Sequence, residues 1–537
     1  FNVDTVLAYP AAFGGMWFFL RRRRLRHGPA ALGGLTYGFS AYMALRLNHT
    51  NVIQILAHLP WLLGCIDILI LSPRPRSRRL AGAAVAALTA SQLLLGYPPS
   101  VWYSGLAELV YAVVLGWGGG FPGKLLHFGA AKVLGLLLAA VQVLPTLAQI
   151  PLSQRAHLDL KGLAMDSLIP WNFFQWISPF AFTERCVGPA RPWEFAQYAG
   201  LLAPAAIGWL LIQWRAARNG FSRRRAEGQN GWGLPARDRR LLAWAVVMVL
   251  LGAMFALGAY GPVFWLLATW PPFSFFRSWA RYSLWIFVGL SVGLAVAAQM
   301  FLRRAGRKEK TQPAADAAVG LPRPAHWLLA MGVLLAATPM VLARLEGRFQ
   351  WGVPWASTPG LLFGPVGLLV VWWLLDRSAK GKLGALLGLV VFHLADLTCY
   401  DLSYWLTRCR FDRLDHFIVS IDLPPDQKGM NIPSAGCSAQ ELLPRVWTQP
   451  AQEANVFLLV GRRSAGGWWG GLVPRQTLPY PNLKALRVAG VAWWKKGPFE
   501  PEPWQAVPDP LPEVRLAAQA QDGGDHRSDG GRAHAFG

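Results

Sequence analysis

Two arginines four residues apart, Arg277 and Arg281, lie in the aromatic stretch SFFRSWARY (274–282) between two long apolar runs. At helical spacing their side chains would share one face. One interpretation is structural: each arginine extends its charge to the membrane surface or pairs with a carboxylate. The other is chemical: the pair binds the phosphate group of a lipid carrier, because the planar guanidinium group matches phosphate oxygens.

A second group of charges lies in residues 148–195, a segment rich in tryptophan and phenylalanine. Aromatic residues at this density are typical of a segment at the bilayer interface, where its charges would be solvated. Alternatively, the segment caps a cavity, with carboxylates as general base and arginines as anion ligands. The candidates by position are Arg155, Asp159, Asp166, Glu184 and Glu194.

Five ionisable residues fall inside apolar runs: His58, Asp67, Glu108, His393 and Asp396. Charge at membrane depth is costly and often functional. Asp67 and Asp396 could instead reach the interface or a partner helix. Glu108 could be a hydrogen-bonded structural group or part of a proton path, and the sequence leaves these alternatives open.

Composition indicates a membrane protein. The 537 residues are 53% hydrophobic, and the mean hydropathy is +0.30. The formal net charge of +24 comes from arginine blocks between apolar runs, which are typical of cytoplasmic loops and not of a nucleic-acid surface. No metal-ligand spacing or phosphate-binding glycine loop occurs, so we expect no certain cofactor.

Apolar windows predict about twelve membrane spans, at 4–20, 28–45, 52–72, 80–97, 100–118, 125–147, 196–214, 241–260, 282–302, 327–343, 358–375 and 383–405. The loops rich in lysine and arginine fall on one side, which the positive-inside rule makes cytoplasmic. Both ends of the chain would then lie outside, and Arg277 and Arg281 would lie on the face that positive charge usually avoids.

The domain prediction has three parts. Residues 1–405 form a multi-span transmembrane domain, and residues 406–517 form a small extracytoplasmic domain of α+β or β structure. Residues 518–537 lack apolar residues to bury and are predicted to be disordered. Because the chain begins at Phe1 with no signal peptide and an outside start, we expect a truncated N-terminus with one further span.

Several stretches together resemble the YfhO-like bacterial membrane proteins, within the GT-C class of glycosyltransferases. The similar stretches are ALGGLTYGFSAYMALRLNHTNVIQILAHLPWLLGCID (31–67), LLLGYPPSVWY (93–103), LGLLLAAVQVLPTLAQIPLSQR (134–155), WEFAQYAGLLAPAAIG (193–208), PPFSFFRSWARYSLW (271–285) and HLADL (393–397). The tail stretches PNLKALRVAGVAWWKKG and VPDPLPEVRLA are similar to that family's outer domain.

The resemblance implies an enzyme of the bacterial cytoplasmic membrane that moves a sugar from a polyprenyl-phosphate carrier to an extracytoplasmic cell-envelope acceptor. It implies site-lining roles for Glu194, Tyr198, Arg277, Arg281 and His49. A divalent metal is compatible with this class, although no ligand cluster is visible. GT-C enzymes generally place the key acidic residue in the first outer loop, which here would precede Phe1.

Two other functions stay open from the sequence. A transporter or flippase of a lipid-linked or amphipathic substrate would also need many spans, but no repeated halves or paired broken helices are visible. A non-catalytic envelope-assembly protein could use the outer domain to hold a partner.

Overall fold

A computed structural model describes most of the N-terminal three quarters of the chain and short pieces of the rest. The described residues are 3–47, 49–118, 120–150, 160–180, 192–219, 236–271, 273–276, 278–311, 321, 323–346, 358–380, 383–408, 428–431, 463–464, 493–495 and 505–506. The chain divides into two units, residues 1–151 with 155–407, and residues 152–154 with 408–537.

The first unit is helical. Its α-helices are α1 (Val3–Arg22), α2 (His27–Gly38), α3 (Ala41–Ala44), α4 (Thr50–Leu71), α5 (Pro75–Leu94), α6 (Pro98–Gly116), α7 (Phe121–Leu138), α8 (Ala140–Gln149), α9 (Leu160–Leu163), α10 (Pro192–Phe195), α11 (Leu202–Asn219), α12 (Ala236–Ala256), α13 (Pro262–Leu267), α14 (Ser283–Thr311), α15 (Arg323–Glu346), α16 (Thr358–Ala379) and α17 (Leu383–Arg408). Short 3-10 turns cover Pro170–Trp176, Gly258–Tyr260, Phe273–Phe275 and Trp279–Tyr282.

Seven stretches in the described part are long and apolar enough to cross a membrane. They are Val3–Arg22, Thr50–Leu71, Phe121–Leu138, Asp238–Ala256, Trp279–Arg303, Leu362–Ala379 and Gly384–Ser403. The chain is therefore a helical, multi-pass membrane protein, as the composition predicted. The number of twelve spans stays a prediction.

The other five predicted spans coincide with helices that are shorter, interrupted or more polar. The run 28–45 is divided between α2 and α3 at Phe39 and Ser40. The run 196–214 starts with non-helical residues 196–200, before α11 begins. An apolar window reflects composition alone, so it does not predict where a helix is interrupted.

The core of the first unit lies where the long helices cross. Helix α4 packs against α1, α5 and α6, and α14 packs against α2, α11 and α12. The crossing of α14 with α12 is close: a Cβ atom on Gly289 would lie 2.5 Å from the carbonyl oxygen of Ala245. A glycine there lets the two backbones approach, as small residues do at membrane helix interfaces.

Four short strands are described in residues 408–537: β1 (Lys428–Asn431), β2 (Arg463–Ser464), β3 (Trp493–Lys495) and β4 (Gln505–Ala506). They form one sheet in the order β2-β1-β3-β4. Strand β1 is parallel to β2 and β3, and β3 is antiparallel to β4, with Trp493 opposite Ala506. The predicted boundary between residues 405 and 406 falls inside α17, which continues to Arg408. The boundary at 517 and 518 lies outside the described residues, and the three-part division stays a prediction.

Candidate functional site

Some predicted site residues lie in the described part of the chain, and some do not. His49, Asp166, Glu194, Tyr198 and Arg281 are described. Arg155, Asp159, Glu184 and Arg277 lie outside the described residues, so their roles stay predictions.

Glu194 bridges two arginines. Its Oε1 accepts a hydrogen bond from Nε of Arg281 at 2.9 Å, and its Oε2 accepts from the same nitrogen at 3.0 Å and from Nη2 of Arg46 at 3.1 Å. The side chains of Glu194 and Arg46 are 2% and 3% exposed, and that of Arg281 is 15% exposed. We call these three residues the Glu194 cluster. Two guanidinium groups against one carboxylate leave one positive charge in excess.

Two tyrosines hold the guanidinium groups in place. Nη1 of Arg281 donates to the hydroxyl of Tyr97. Nη1 of Arg46 donates to the carbonyl oxygen of Tyr42 at 2.9 Å, and the guanidinium carbon lies 3.6 Å from the centroid of the Tyr42 ring. The Tyr42 hydroxyl donates to the carbonyl oxygen of Arg281 at 2.9 Å. Each arginine is therefore fixed by more than its ion pair.

Short elements and turns place this cluster. Arg46 lies in the turn between α3 and α4, and Glu194 lies on the four-residue helix α10. Arg281 belongs to the 3-10 turn before α14, and Tyr97 directly precedes α6. Residues on turns held by a rigid helical scaffold are typical of binding sites.

Asp166 fixes the peptide that carries Arg281. Its Oδ2 accepts a hydrogen bond from the Ser278 hydroxyl at 2.7 Å, and its carbonyl oxygen accepts from the backbone N–H of Ala280 at 2.9 Å. Asp166 and Ser278 both have positive φ, 57° and 69°. Such backbone conformations cost about 1–3 kcal/mol each and concentrate at functional segments. The predicted catalytic role of Asp166 stays a prediction, and its observed contact positions the turn.

Tyr198 bonds to Asp396, and its predicted site-lining role stays a prediction. Its hydroxyl donates to Oδ1 of Asp396, and Oδ2 of Asp396 accepts from the backbone N–H of Leu201 at 2.7 Å. This pair ties α17 to the non-helical segment that precedes α11. Asp396 thus has partners on another element, one of the alternatives that the sequence left open.

The other ionisable residues at membrane depth also have polar partners. Oε2 of Glu108 accepts from Nζ of Lys132 at 2.9 Å, and its Oε1 accepts from the Ser104 hydroxyl at 2.9 Å. Nε2 of His393 lies 2.9 Å from the Thr36 hydroxyl, and Nε2 of His58 lies 3.0 Å from the Ser91 hydroxyl. The Ser104 contact lies within α6, and the other three contacts join different helices. The bond between α6 and α7 favours the structural interpretation of Glu108.

The protonation states in and beside the cluster follow from burial and charge. Burial alone would raise the pKa of Glu194, but Arg281 and Arg46 outweigh it and lower the pKa to about 2. Burial lowers the pKa of His49 to about 4, with Glu194 opposing the shift and the two arginines adding to it. At neutral pH Glu194 is ionised and His49 is neutral, so the excess positive charge remains.

A cavity of about 10 Å³ lies beside the cluster, room for roughly one water molecule. Its lining consists of Tyr42, Arg46, His49, Val52, Tyr97, Ser100, Glu194 and Arg281. A far larger cavity, about 740 Å³, is lined almost entirely by apolar residues of α2, α11, α14, α15, α16 and α17, such as Leu32, Leu294 and Leu368. Of these two cavities in the described part of the chain, the small one places charged groups against open space.

This arrangement can bind an anion. A guanidinium group carries five N–H donors, and the hydrogen bonds described above use about half of the donors of Arg46 and Arg281. The described residues contain no group of three or more His, Cys, Asp or Glu that could hold a metal ion. The fixed donors and the excess positive charge of the cluster offer electrostatic stabilisation of an anion.

Arg46, Tyr42 and Tyr97 were not predicted from the sequence to belong to the site. Arg46 and Tyr97 stand in RLNHTN (46–51) and GYPPS (96–100), two turns on the side predicted to be outside. An arginine on that side runs against the positive-inside rule. The signal that drew attention to Arg281 could thus have found Arg46.

No protein-family model matches the chain, and no curated protein matches it. Two solved structures are similar to it: ArnT from Cupriavidus metallidurans in the apo state, and the same protein bound to undecaprenyl phosphate. The apo structure is 13% identical, with 83% of this chain and 70% of that chain covered and a TM-score of 0.42. The bound structure is 13% identical, with 86% and 75% covered and a TM-score of 0.40. A likeness of this size assigns no role to any residue of this chain.

Proposed function

We propose that the chain is a membrane glycosyltransferase of the GT-C class that uses a sugar linked to a polyprenyl-phosphate carrier. The acceptor is an extracytoplasmic component of the bacterial cell envelope. The observation that carries this proposal is the Glu194 cluster, a buried site with excess positive charge at one end of the membrane-crossing helices. Its side chains come from sequence stretches that carry the family resemblance.

The arginines fit the phosphate of a lipid-linked donor. A guanidinium group binds phosphate oxygens with two parallel hydrogen bonds, and a charge-assisted bond is about twice as strong as a neutral one. Arg281 lies two residues before the start of α14, in a stretch long and apolar enough to cross a membrane. A carrier whose hydrocarbon chain lies in the bilayer would present its phosphate near the end of such a helix.

The same arginines would stabilise the leaving group. When the acceptor oxygen attacks the anomeric carbon, the bond from that carbon to the phosphate oxygen breaks and negative charge grows on the phosphate. Preorganised cations at that point lower the barrier because their orientation is fixed before the reaction. The contacts of Tyr42 and Tyr97 supply this preorganisation for Arg46 and Arg281.

The transfer also needs a base for the acceptor hydroxyl. The carboxylates predicted for this role are Asp159, Asp166, Glu184 and Glu194. Asp166 accepts a hydrogen bond from Ser278, and Glu194 accepts hydrogen bonds from the arginines.

The test is sugar transfer by the full chain reconstituted in lipid nanodiscs, with a polyprenyl-phosphate-linked sugar as donor. Arg281→Gln should abolish transfer while leaving the protein folded. Arg303→Gln is the matched control, because Arg303 lies near the other end of α14 and pairs with Asp238 at 2.9 Å. Full activity of Arg281→Gln would refute the proposed role of the cluster. Passage of a lipid-linked substrate across sealed vesicles without sugar transfer would support a flippase instead.

A further inference from the structure

Glu194 occupies the space that a phosphate would need. The cavity beside it holds about one water-sized volume, whereas a phosphate group carries four oxygens. The nitrogens that a phosphate would seek on Arg281, Nε and Nη2, already bond to Glu194. A phosphate can therefore engage both arginines fully only if a side chain of the lining yields.

Glu194 is the side chain of the lining that can most easily move away from the arginines. Tyr42 and Val52 belong to the packed core of the helices, and Tyr97 packs against it. Glu194 lies on a helix of only four residues. Its side-chain hydrogen bonds in the described part of the chain go to the two arginines alone, and a phosphate would take over both of those donors.

Displacement would change the chemistry of Glu194. The two arginines keep its pKa near 2 against the opposing effect of burial. A phosphate on Arg46 and Arg281 neutralises that influence, so burial and the new negative charge would both raise the pKa. A carboxylate becomes a useful base as its pKa approaches the working pH.

We propose that Glu194 is the general base of the transfer reaction and that the donor's phosphate activates it by displacing it from Arg281 and Arg46. This inference rests on the proposed function. In the transfer, Glu194 takes the proton of the acceptor hydroxyl while the acceptor oxygen forms its bond to the anomeric carbon. The bond from that carbon to the phosphate oxygen breaks, and the electron pair leaves with the polyprenyl phosphate, which the arginines hold. Without the donor's phosphate, Glu194 would stay paired with the arginines and would be too weak a base to take a proton from a hydroxyl group.

If Glu194 is displaced in this way, binding of polyprenyl phosphate should be coupled to proton uptake. The titratable and charged groups that face Glu194 are Arg46, His49 and Tyr42 from the α3–α4 region, Arg281 from the turn before α14, and Tyr97 before α6. Because the pKa of Glu194 rises when the phosphate binds, binding takes up protons at pH values between the old and new pKa. Affinity should therefore fall as the pH increases through the new value.

The experiment is calorimetry of polyprenyl phosphate binding to the full chain in nanodiscs, in two buffers of different ionisation enthalpy. Wild-type protein should take up more protons on binding than Glu194→Gln, by up to one per site, and the phosphate's own titration cancels in this comparison. Glu194→Gln should bind at least as tightly as wild type, because its competing charge is gone. Its sugar transfer should be about 10²- to 10⁴-fold slower.

Two further variants keep the test decisive. Glu194→Asp preserves the charge and guards against a folding defect in Glu194→Gln; it should bind polyprenyl phosphate and transfer slowly. Asp238→Asn removes a buried carboxylate that pairs with Arg303 away from the cluster, and it should transfer like wild type. Equal proton uptake by wild type and Glu194→Gln would overturn the inference while leaving the proposed function intact. Loss of polyprenyl phosphate binding in both Glu194→Gln and Arg281→Gln would have the same meaning. Absence of polyprenyl phosphate binding by wild type would instead overturn the proposed function itself.

Discussion

Two clusters of the same charge composition lie near opposite ends of α4. In the Glu194 cluster, one carboxylate meets Arg46 and Arg281 beside the start of the helix. Near its end, Asp67 accepts from Nη1 of Arg23 at 2.8 Å and from Nε of Arg22 at 3.1 Å, and we call these three residues the Asp67 cluster. A tyrosine hydroxyl contacts each cluster, from Tyr97 in the first and from Tyr111 in the second. Each cluster has one positive charge in excess.

Their settings differ. The Asp67 cluster lies between long helices, because Arg22 ends α1, Arg23 follows it directly, and Asp67 lies within α4. Tyr111 of α6 donates to Oδ1 of Asp67 at 3.0 Å. Its arginines belong to RRRRLRH (21–27), a block of the kind that anchors a protein on the cytoplasmic side. The Glu194 cluster is built from turns, borders a cavity and has arginines on the side predicted to be outside, where that rule disfavours them. We infer that the same charges join helices in one place and bind an anion in the other.

The largest expected effect is on stability, in the Asp67 cluster. Asp67→Asn should lower the free energy of unfolding by about 3–5 kcal/mol, because it leaves the buried Arg23 without its carboxylate. Thermal unfolding in detergent measures this change. Polyprenyl phosphate binding by the folded fraction should equal that of wild type, and a selective loss of binding would show that the two clusters are not distinct in role.

The next effect is on binding, in the Glu194 cluster. Arg46→Lys keeps the charge but removes the planar fork and the stacking on Tyr42. We expect affinity for polyprenyl phosphate to fall roughly 30-fold, which corresponds to about 2 kcal/mol. Arg22→Lys in the Asp67 cluster is the matched control and should bind as wild type does. Equal losses in both variants would point to a general effect of arginine replacement.

Replacing the tyrosine beside each cluster, Tyr97 or Tyr111, should have a smaller effect that is specific to that cluster. Tyr97→Phe removes the acceptor of an Arg281 N–H, and Tyr111→Phe removes a donor to Asp67. Each hydrogen bond to a charged group is worth about 1.5–3 kcal/mol. Tyr97→Phe should weaken polyprenyl phosphate binding about tenfold or more, and Tyr111→Phe should lower only the unfolding temperature. The reverse assignment of effects would contradict the account.

The smallest expected effect is a pH dependence of stability from His49. Its folded pKa of about 4 lies below its ordinary value of 6.5, so the unfolded chain binds the proton more readily. The stabilising contribution of neutral His49 is present above pH 6.5 and is lost as the pH falls towards 4. His49→Gln should therefore flatten the stability curve in this window, by about 1 kcal/mol for each pH unit. An unchanged curve would mean that His49 titrates alike in both states.

Part of this structure was predictable from the sequence. Long apolar runs fix the membrane class, and the odd position of Arg281 and the carboxylate of Glu194 marked two members of the site. The pairing itself was not visible, because Glu194 lies 148 residues from Arg46 and 87 from Arg281 along the chain. Tyr198 was predicted to line the site with Glu194, but the chain leaves α10 at Phe195 and continues without helical periodicity. No spacing rule links the two side chains across such a segment.

The most direct test of the central claim is to locate the lipid phosphate. A polyprenyl phosphate with a photoreactive group next to its phosphate would be bound to the full chain in nanodiscs and activated by light, and the modified peptides would be identified by mass spectrometry. The account predicts labels around Tyr97–Ser100 or Trp279–Tyr282 in wild type and in Arg303→Gln, and loss of these labels in Arg281→Gln. Labels that persist in Arg281→Gln, or that fall only along the large apolar cavity, would contradict it.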